Sequence, residues 1–407
     1  MSQATLVRPE LARPGVRVQP WHRWQVDVPL VLLVYVVTRV WGFLIIHRAG
    51  GLQGPSIWTG RHSGYFAMAQ LWDAQWYKII VERGYPVPLP VDAAGVVQQS
   101  AWAFFPGFPY TVKVVMWLTG LPYSPAAVLL NLALGACAVV VLLRLLQRVA
   151  GRGAGFGAVV LLCTLPAEPV LQIAYSEALA LLLFGLALLW LVERRYLLAT
   201  LVVLPLALTR PVVAPFALVV LAHLVGRWRA RRDDPFPRAQ QVQVVALGLF
   251  SAACALLWPA LVQVLTGVPS AYLKVQGTWL SGGTVGPPFG HTLGIVRMLW
   301  GVDQGPWWLA LGAACYAAVV LSPLGRGMGT ELRTWCLAYP PYVLSVIEPW
   351  TSTYRYALFL FPMLVLPGAL RRFGPALVLA LALLGLAYQV RWVDEILVFV
   401  PPADSPP

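Results

Sequence analysis

About eleven apolar stretches, most of them close to the length of a bilayer crossing, follow one another along this chain. Between them the arginines gather in short clusters. A chain with that pattern has little choice of solvent. Hydrophobic residues are 59% of its 407 residues and charged ones 11%. So few charges cannot cover a water-facing surface, whereas lipid needs no polar cover. The expected fold is all-α: a polytopic integral-membrane helical bundle, one domain over residues 1–407, with membrane lipids around it.

The net charge of +13 comes from 29 Lys and Arg against 16 Asp and Glu. Confined to short loops, that excess is the positive-inside pattern of membrane proteins, and no nucleic-acid partner is expected. The polar first residues, with Arg8, Arg13, Arg17 and Arg23, lead into an apolar stretch that has no small-residue cleavage site. They read as a cytoplasmic tail (1–27) before a retained anchor. Crossings are expected at about 28–46, 124–143, 154–170, 178–192, 196–208, 212–226, 242–264, 307–321, 335–347, 356–370 and 374–390. This puts every dense cluster inside: Arg144, Arg148 and Arg152; Arg194 and Arg195; the basic run 227–238; Arg326 and Arg333; Arg371 and Arg372. Residues 48–123 and 266–305 become extracytoplasmic loops, and the tail 392–407 also lies outside. The apolar run 110–119 is too short to cross and carries Lys113. It reads as an interfacial helix, because a crossing there would turn the cluster at 144–152 outside.

Cys137, Cys163, Cys254, Cys315 and Cys336 lie in or beside apolar runs without CxxC spacing and read as small buried hydrophobes. His47, His62, His223 and His291 show no ligand spacing, so no metal site is expected.

Ionisable residues that this topology leaves unexplained are Arg39, Asp73, Lys78, Lys113, Glu177, Arg210, Lys274, Arg297, Glu348 and Arg355. Charges in or at the edge of crossings cost about 2.5 to 3.5 kcal/mol each, and function is their default explanation. Asp73 stands in Trp72-Asp73-Ala74-Gln75-Trp76-Tyr77. On a helix Trp72, Trp76 and Ile80 share a face, expected toward the lipid boundary, while Asp73 and Tyr77 share another. Asp73 is then a solvated carboxylate in an aromatic belt, or a general base near the headgroups. Thr353-Tyr354-Arg355-Tyr356 sets a guanidinium between two tyrosines, which suits a lipid-linked phosphate or a snorkelling arginine. Tyr175-Ser176-Glu177 reads as a helix start with an acid in its first turn, or as part of a site. Arg210, just before Pro211, parts two half-length segments, and irregular backbone is tolerated in a membrane only beside protein or a cavity. Arg39 must also face inward. Arg39 and Arg210 are candidate counter-ions to Asp73 or Glu177, or substrate contacts.

Taken in order, Val37-Thr38-Arg39, Trp72-Asp73-Ala74-Gln75-Trp76-Tyr77 with Gly84-Tyr85, Phe104-Phe105-Pro106, Tyr175-Ser176-Glu177-Ala178-Leu179, Leu208-Thr209-Arg210-Pro211, Tyr354-Arg355-Tyr356-Ala357 and Phe361-Pro362 resemble the PIG-V-type mannosyltransferases. These belong to the GT-C class of integral-membrane glycosyltransferases. The resemblance covers most of the chain, with little of it in residues 230–330. It implies a GT-C-like bundle whose first outer loop carries the catalytic Asp, here Asp73. It implies inverting transfer from a polyprenyl-phosphate-linked mannose to a glycolipid or glycan acceptor. No cofactor beyond that lipid-linked donor is implied. Arg355 with Tyr354 and Tyr356, helped by Lys113 or Arg210, would meet the donor phosphate. Trp72, Trp76, Tyr77, Glu177 and Arg39 would support the acceptor or the site. The Arg-, Ala-, Gly- and Pro-rich composition looks like that of a high-GC bacterium, hence a plasma-membrane protein with an extracytoplasmic site.

The alternative function is a transporter or flippase for a lipid-linked saccharide. Transporters have paired halves with matching broken helices, whereas the sequence shows one break, at Arg210-Pro211, with no counterpart in the second half. A non-catalytic assembly protein is a third possibility, against which the charges at the outer edge stand.

Overall fold

The computed structural model describes residues 21–370 and 372–399, with side chains from Val26 onward. The tail arginines Arg8, Arg13 and Arg17, the inner-loop Arg371 and the last part of the 392–407 tail lie outside the described residues.

Helix is the main regular structure of the described residues; their one β feature is an isolated bridge between Val91 and Val97. It opens with α1 (Trp21–Gly50). The 48–123 loop folds into α2 (Tyr65–Met68), α3 (Asp73–Arg83) and α4 (Gly107–Thr119). A packed group follows: α5 (Tyr123–Ala150), α6 (Arg152–Cys163), α7 (Glu177–Val192), α8 (Tyr196–Ala207) and α9 (Val213–Arg229). Next, α10 (Arg238–Ala255) bends by 40° into α11 (Leu257–Thr266). The 266–305 loop holds α12 (Ala271–Gly277) and α13 (Gly290–Trp300), and α13 meets α14 (Gly305–Leu321) at 110°. The chain closes with α15 (Gly329–Val346), the turn α16 (Thr353–Tyr356), a 3-10 stretch Ala357–Leu364, α17 (Val365–Ala369) and α18 (Gly374–Trp392).

Three helical spans (Val26–Gly50, Tyr123–Ala150 and Gly374–Leu397) are long and apolar enough to cross a membrane, or five if each bent pair is one crossing. The other expected crossings fall on shorter or interrupted helices. At 12 residues, α6 and α8 each reach about 18 Å, short of a hydrocarbon core about 30 Å thick. What continues them is irregular backbone, at 164–176 and 208–212, and most of it is buried in protein, Pro211 being exposed. That is where such backbone is tolerated. A further interruption lies in the second half, where Leu360 departs from helical geometry within Ala357–Leu364. The expectation of a single break at Arg210-Pro211 is therefore corrected. Breaks occur in both halves, at 208–212 and at Leu360.

The core is centred on α5 and α7, with Leu142, Leu146, Phe184, Leu188 and Trp335 fully enclosed. A second, smaller core joins the two long loops: Leu89 and Trp102 from one pack with Trp258, Val262, Ala271 and Val275 around the other.

The two ends of the bundle differ in chemistry. At one end Arg144, Arg148 and Arg195 surround Glu193, Arg152 clasps Asp27 at 2.7 Å, and Arg194 and Arg227 share Asp234. The opposite end carries Asp73 and Glu177. Glu177 starts α7 and Glu193 follows its last residue, so a helix of 16 residues, about 24 Å, separates them.

Two tests follow. Arg39 is paired with Glu168, both buried in the bundle. Arg39→Met alone should lower the melting temperature in detergent sharply, a loss of about 3–5 kcal/mol, because a buried carboxylate is left unpaired. The double variant Arg39→Met with Glu168→Met should recover most of that loss. In the 230–237 loop, hydrogen bonds from Arg194 and then Arg227 hold the Asp234 carboxyl down at about 2. A carboxylate depressed on folding contributes above its unfolded pKa and loses that contribution as pH falls toward the folded value. Acid-protease cutting of this loop should therefore rise as pH drops from about 4 to about 2, and Asp234→Asn should cut readily at both.

Candidate active site

Asp73 is the first residue of α3, where its carboxylate meets the positive end of the helix dipole. The residue before it is held in an unusual conformation. Trp72 has φ 58° and ψ −123°, a region that a bulky side chain avoids and that costs about 1–3 kcal/mol. Its neighbours hold it there. The indole Nε1 donates to the carbonyl of Leu397 at 2.9 Å, and the ring packs against Trp58 and Phe399.

Asp73 faces a buried charge network. Arg355 Nη1 donates to Asp73 Oδ2 at 2.8 Å and to Glu177 Oε1 at 3.0 Å, and Glu177 Oε1 also pairs with Arg210. Two acids and two guanidiniums alternate, so their charges sum to zero. Arg355 and Glu177 are almost wholly enclosed, whereas the Asp73 side chain keeps 20% of its surface exposed. Asp73 is thus the acid that a substrate can reach.

Aromatic rings and short backbone contacts fix the network. Arg355 lies over the Tyr175 ring at 5.1 Å, and Arg210 over Tyr356 and Phe359 at 5.3 and 5.8 Å. Tyr77, one turn after Asp73, donates to Ser176 Oγ at 3.0 Å. The stretch 173–175 is clamped by Asn131, whose amide donates to the carbonyls of Ile173 and, at 2.8 Å, Tyr175. The Ala174 amide donates to Ala69, close to α3. Gly107 braces the break that carries Arg210: its amide donates to Leu208 at 2.6 Å, and a Cβ there would sit 2.7 Å from that carbonyl oxygen. Only glycine lets Phe104-Phe105-Pro106 lie against the break.

Asp73, Tyr77, Glu177, Arg210, Arg355 and Tyr356 therefore come together from four parts of the chain. Other candidates do not join them. The face Trp72–Trp76–Ile80 does not look toward lipid. Trp72 and Ile80 are buried, and Trp76 stacks on Phe104 with its edge to Trp279. Trp279 of the 266–305 loop covers Trp76, and Trp58 with Phe399 covers Trp72, on the face that periodicity alone assigned outward. Arg39 pairs with Glu168 rather than with Asp73 or Glu177. Lys113 is exposed on α4, and Tyr354 is exposed beside Arg355. Ser176 makes no side-chain cap bond to α7, so its hydroxyl serves Tyr77 instead. Among the described residues no group of three or more His, Cys, Asp or Glu is placed to hold a metal ion.

Asn131 and Glu168 are absent from the charge-based candidates. Asn131 is uncharged and Glu168 falls within the expected crossing 154–170, although a lone amide or acid inside an apolar stretch is itself a signal.

No family model matches the chain, and no curated protein matches it. The resemblance to the PIG-V-type family therefore rests on the segments quoted above. Among solved structures, the Archaeoglobus fulgidus oligosaccharyltransferase, crystallised in complex with Zn and sulfate, is similar with a TM-score of 0.46 and 14% identity. The match covers 91% of this chain and 54% of that one, so the chain spans about half the length of that structure.

Asn131→Leu removes both clamps while keeping the volume; the Ile173 carbonyl keeps the Tyr175 amide, but the buried Tyr175 carbonyl loses its donor at a cost of about 1–3 kcal/mol. Hydrogen exchange at residues 173–178 should rise in this variant, with the arginine end of the bundle unchanged.

Proposed function

We propose that the chain is an integral-membrane glycosyltransferase that moves a sugar, mannose in the first instance, from a polyprenyl-phosphate carrier to an acceptor hydroxyl. The observation that carries this reading is the network Asp73–Arg355–Glu177–Arg210, in which one carboxylate is reachable and its partners are buried. In the reaction the acceptor oxygen bonds to the anomeric carbon as its proton passes to Asp73. The bond from that carbon to the phosphate oxygen breaks on the opposite face, inverting the centre, and polyprenyl phosphate leaves. General-base help of this kind contributes about 100- to 10,000-fold.

Charge balance supports the assignment. The carrier phosphate is a singly charged diester before transfer and gains a negative charge as it leaves. The proton arriving on Asp73 takes one negative charge out of the network at the same moment. Arg355 then has one carboxylate partner in place of two, and its Nε has no partner among the described residues. A guanidinium so released is matched to the departing phosphate. The donor brings its own leaving group, so neither a nucleotide sugar nor a further cofactor is part of this reading. The site end of the bundle is assigned to the extracytoplasmic face of a bacterial plasma membrane, and the arginine end to the cytoplasm.

Interrupted helices in both halves of the chain favour a second reading, a carrier for lipid-linked saccharide. One experiment separates the two. Vesicles containing the protein are given radiolabelled polyprenyl-phosphate mannose and extracted bacterial lipids. Asp73→Asn should lower transfer by about 100-fold or more while the protein stays folded and inserted, Arg355 remaining paired with Glu177. Unchanged transfer in that variant removes Asp73 from the mechanism. Movement of the intact donor between leaflets without bond cleavage identifies a carrier.

A further inference from the structure

Next to the Asp73 network, on the other side of the turn Thr353–Tyr356, a groove of about 660 Å³ runs along α18. Arg355 points from this turn toward Asp73, and Tyr354 lines the groove. On α18 the wall is Leu381, Leu384, Gly385, Tyr388 and Arg391, recurring at the three- and four-residue spacing of one helix face. Leu161 and Leu165, at the end of α6, and Pro367 on α17 face it. A side chain at Gly385 would collide with the Thr164 backbone, so glycine lets α18 and the α6 end close the floor. Leu384 is 53% exposed and Tyr388 47%, which leaves the groove open on the outside of the bundle.

Length and polarity restrict what fits. From Leu381 to Arg391 α18 rises about 15 Å, half of a hydrocarbon core about 30 Å thick and so one leaflet. The charged groups lie at one end, where Arg391 Nε donates to Glu395 at 2.9 Å. An apolar channel one leaflet deep with a polar end matches a hydrocarbon chain below a lipid head. The end has no net charge. A phosphate there would meet the Glu395 carboxylate, whereas hydroxyls can accept from Arg391 and donate to Glu395. The same end adjoins the Asp73 site twice, through Tyr354 beside Arg355 and through Ile396 beside the Leu397 carbonyl that holds Trp72.

We propose that this groove seats a hydrocarbon chain of the acceptor, and that the acceptor is a membrane lipid with an uncharged, hydroxyl-bearing head. The assignment rests on the transfer reading above. The full-length protein in phosphatidylcholine vesicles is exposed to one of three lipids carrying the same diazirine on an aliphatic chain: a glycosyl diacylglycerol, a polyprenyl phosphate or phosphatidylcholine. The glycosyl lipid should label peptides containing 161–165 and 381–395, and excess untagged glycosyl lipid should compete. Leu384→Trp, a change at a half-exposed position, should reduce that labelling roughly tenfold, equivalent to about 1.4 kcal/mol of binding. Leu381→Trp serves as a second filling variant, with melting temperature as the control for folding. Preferential labelling by polyprenyl phosphate, equal labelling by phosphatidylcholine, or no labelling in the groove overturns the proposal. Asp73→Asn should label like the parent, so failure of the groove and failure of the transfer chemistry are read separately.

Discussion

One guanidinium shared between two carboxylates holds the site end of this protein together. Arg355 reaches Asp73 in one long loop and Glu177 at the start of α7, residues 282 and 178 positions away. Neither Arg355 nor Glu177 could stay charged alone at such burial, since an unpaired ion loses several kcal/mol of hydration. Each is admissible because the others are present, and Arg210 completes the set. The irregular backbone at 173–176 and 208–212 follows from the same requirement. Two of the four charged side chains stand at helix interruptions, where α7 starts and α8 stops.

The network also explains why the surrounding loops carry so many aromatic rings. Flat π faces beneath Arg355 and Arg210 accept a cation without adding another charge, and Tyr175, Tyr356 and Phe359 supply them. A carboxylate in their place would upset the neutrality on which the cluster depends. The layer above, where Trp76, Phe104 and Trp279 meet, keeps water from one side of the site while Asp73 stays reachable.

Much of this was legible in the sequence, for identifiable reasons. Charge is costly in an apolar segment, so Asp73, Glu177, Arg210 and Arg355 stand out without any structure, and they meet. Helical spacing put Asp73 and Tyr77 on one face, and both turn to the network. The same reasoning failed for Trp72 and Trp76, because spacing says which residues share a face and not what covers it. Here Trp76 is covered by Trp279, about 200 residues later in the chain, and Trp72 by Trp58 and by the stretch at Leu397–Phe399. Arg39 drew attention for the right reason and was assigned the wrong partner, since Glu168 lies inside a stretch that reads as a crossing. Asn131 carries no charge, and its value lies in two backbone carbonyls that no sequence pattern reveals.

The bond from Trp72 to Leu397 links residues 325 positions apart. Arg48 and Gln53 are tied to the same late stretch, through Asp394 and Phe399. During synthesis the loop bearing Asp73 emerges early, and most of the bundle must be inserted before its last supports exist. Until then the strained backbone at Trp72 lacks the Leu397 hydrogen bond and the Phe399 ring, with Trp58 of its own loop beside it. The surroundings of Asp73 are therefore complete only once residues 394–399 are in place, and a chain that has not reached them carries this carboxylate without its full support.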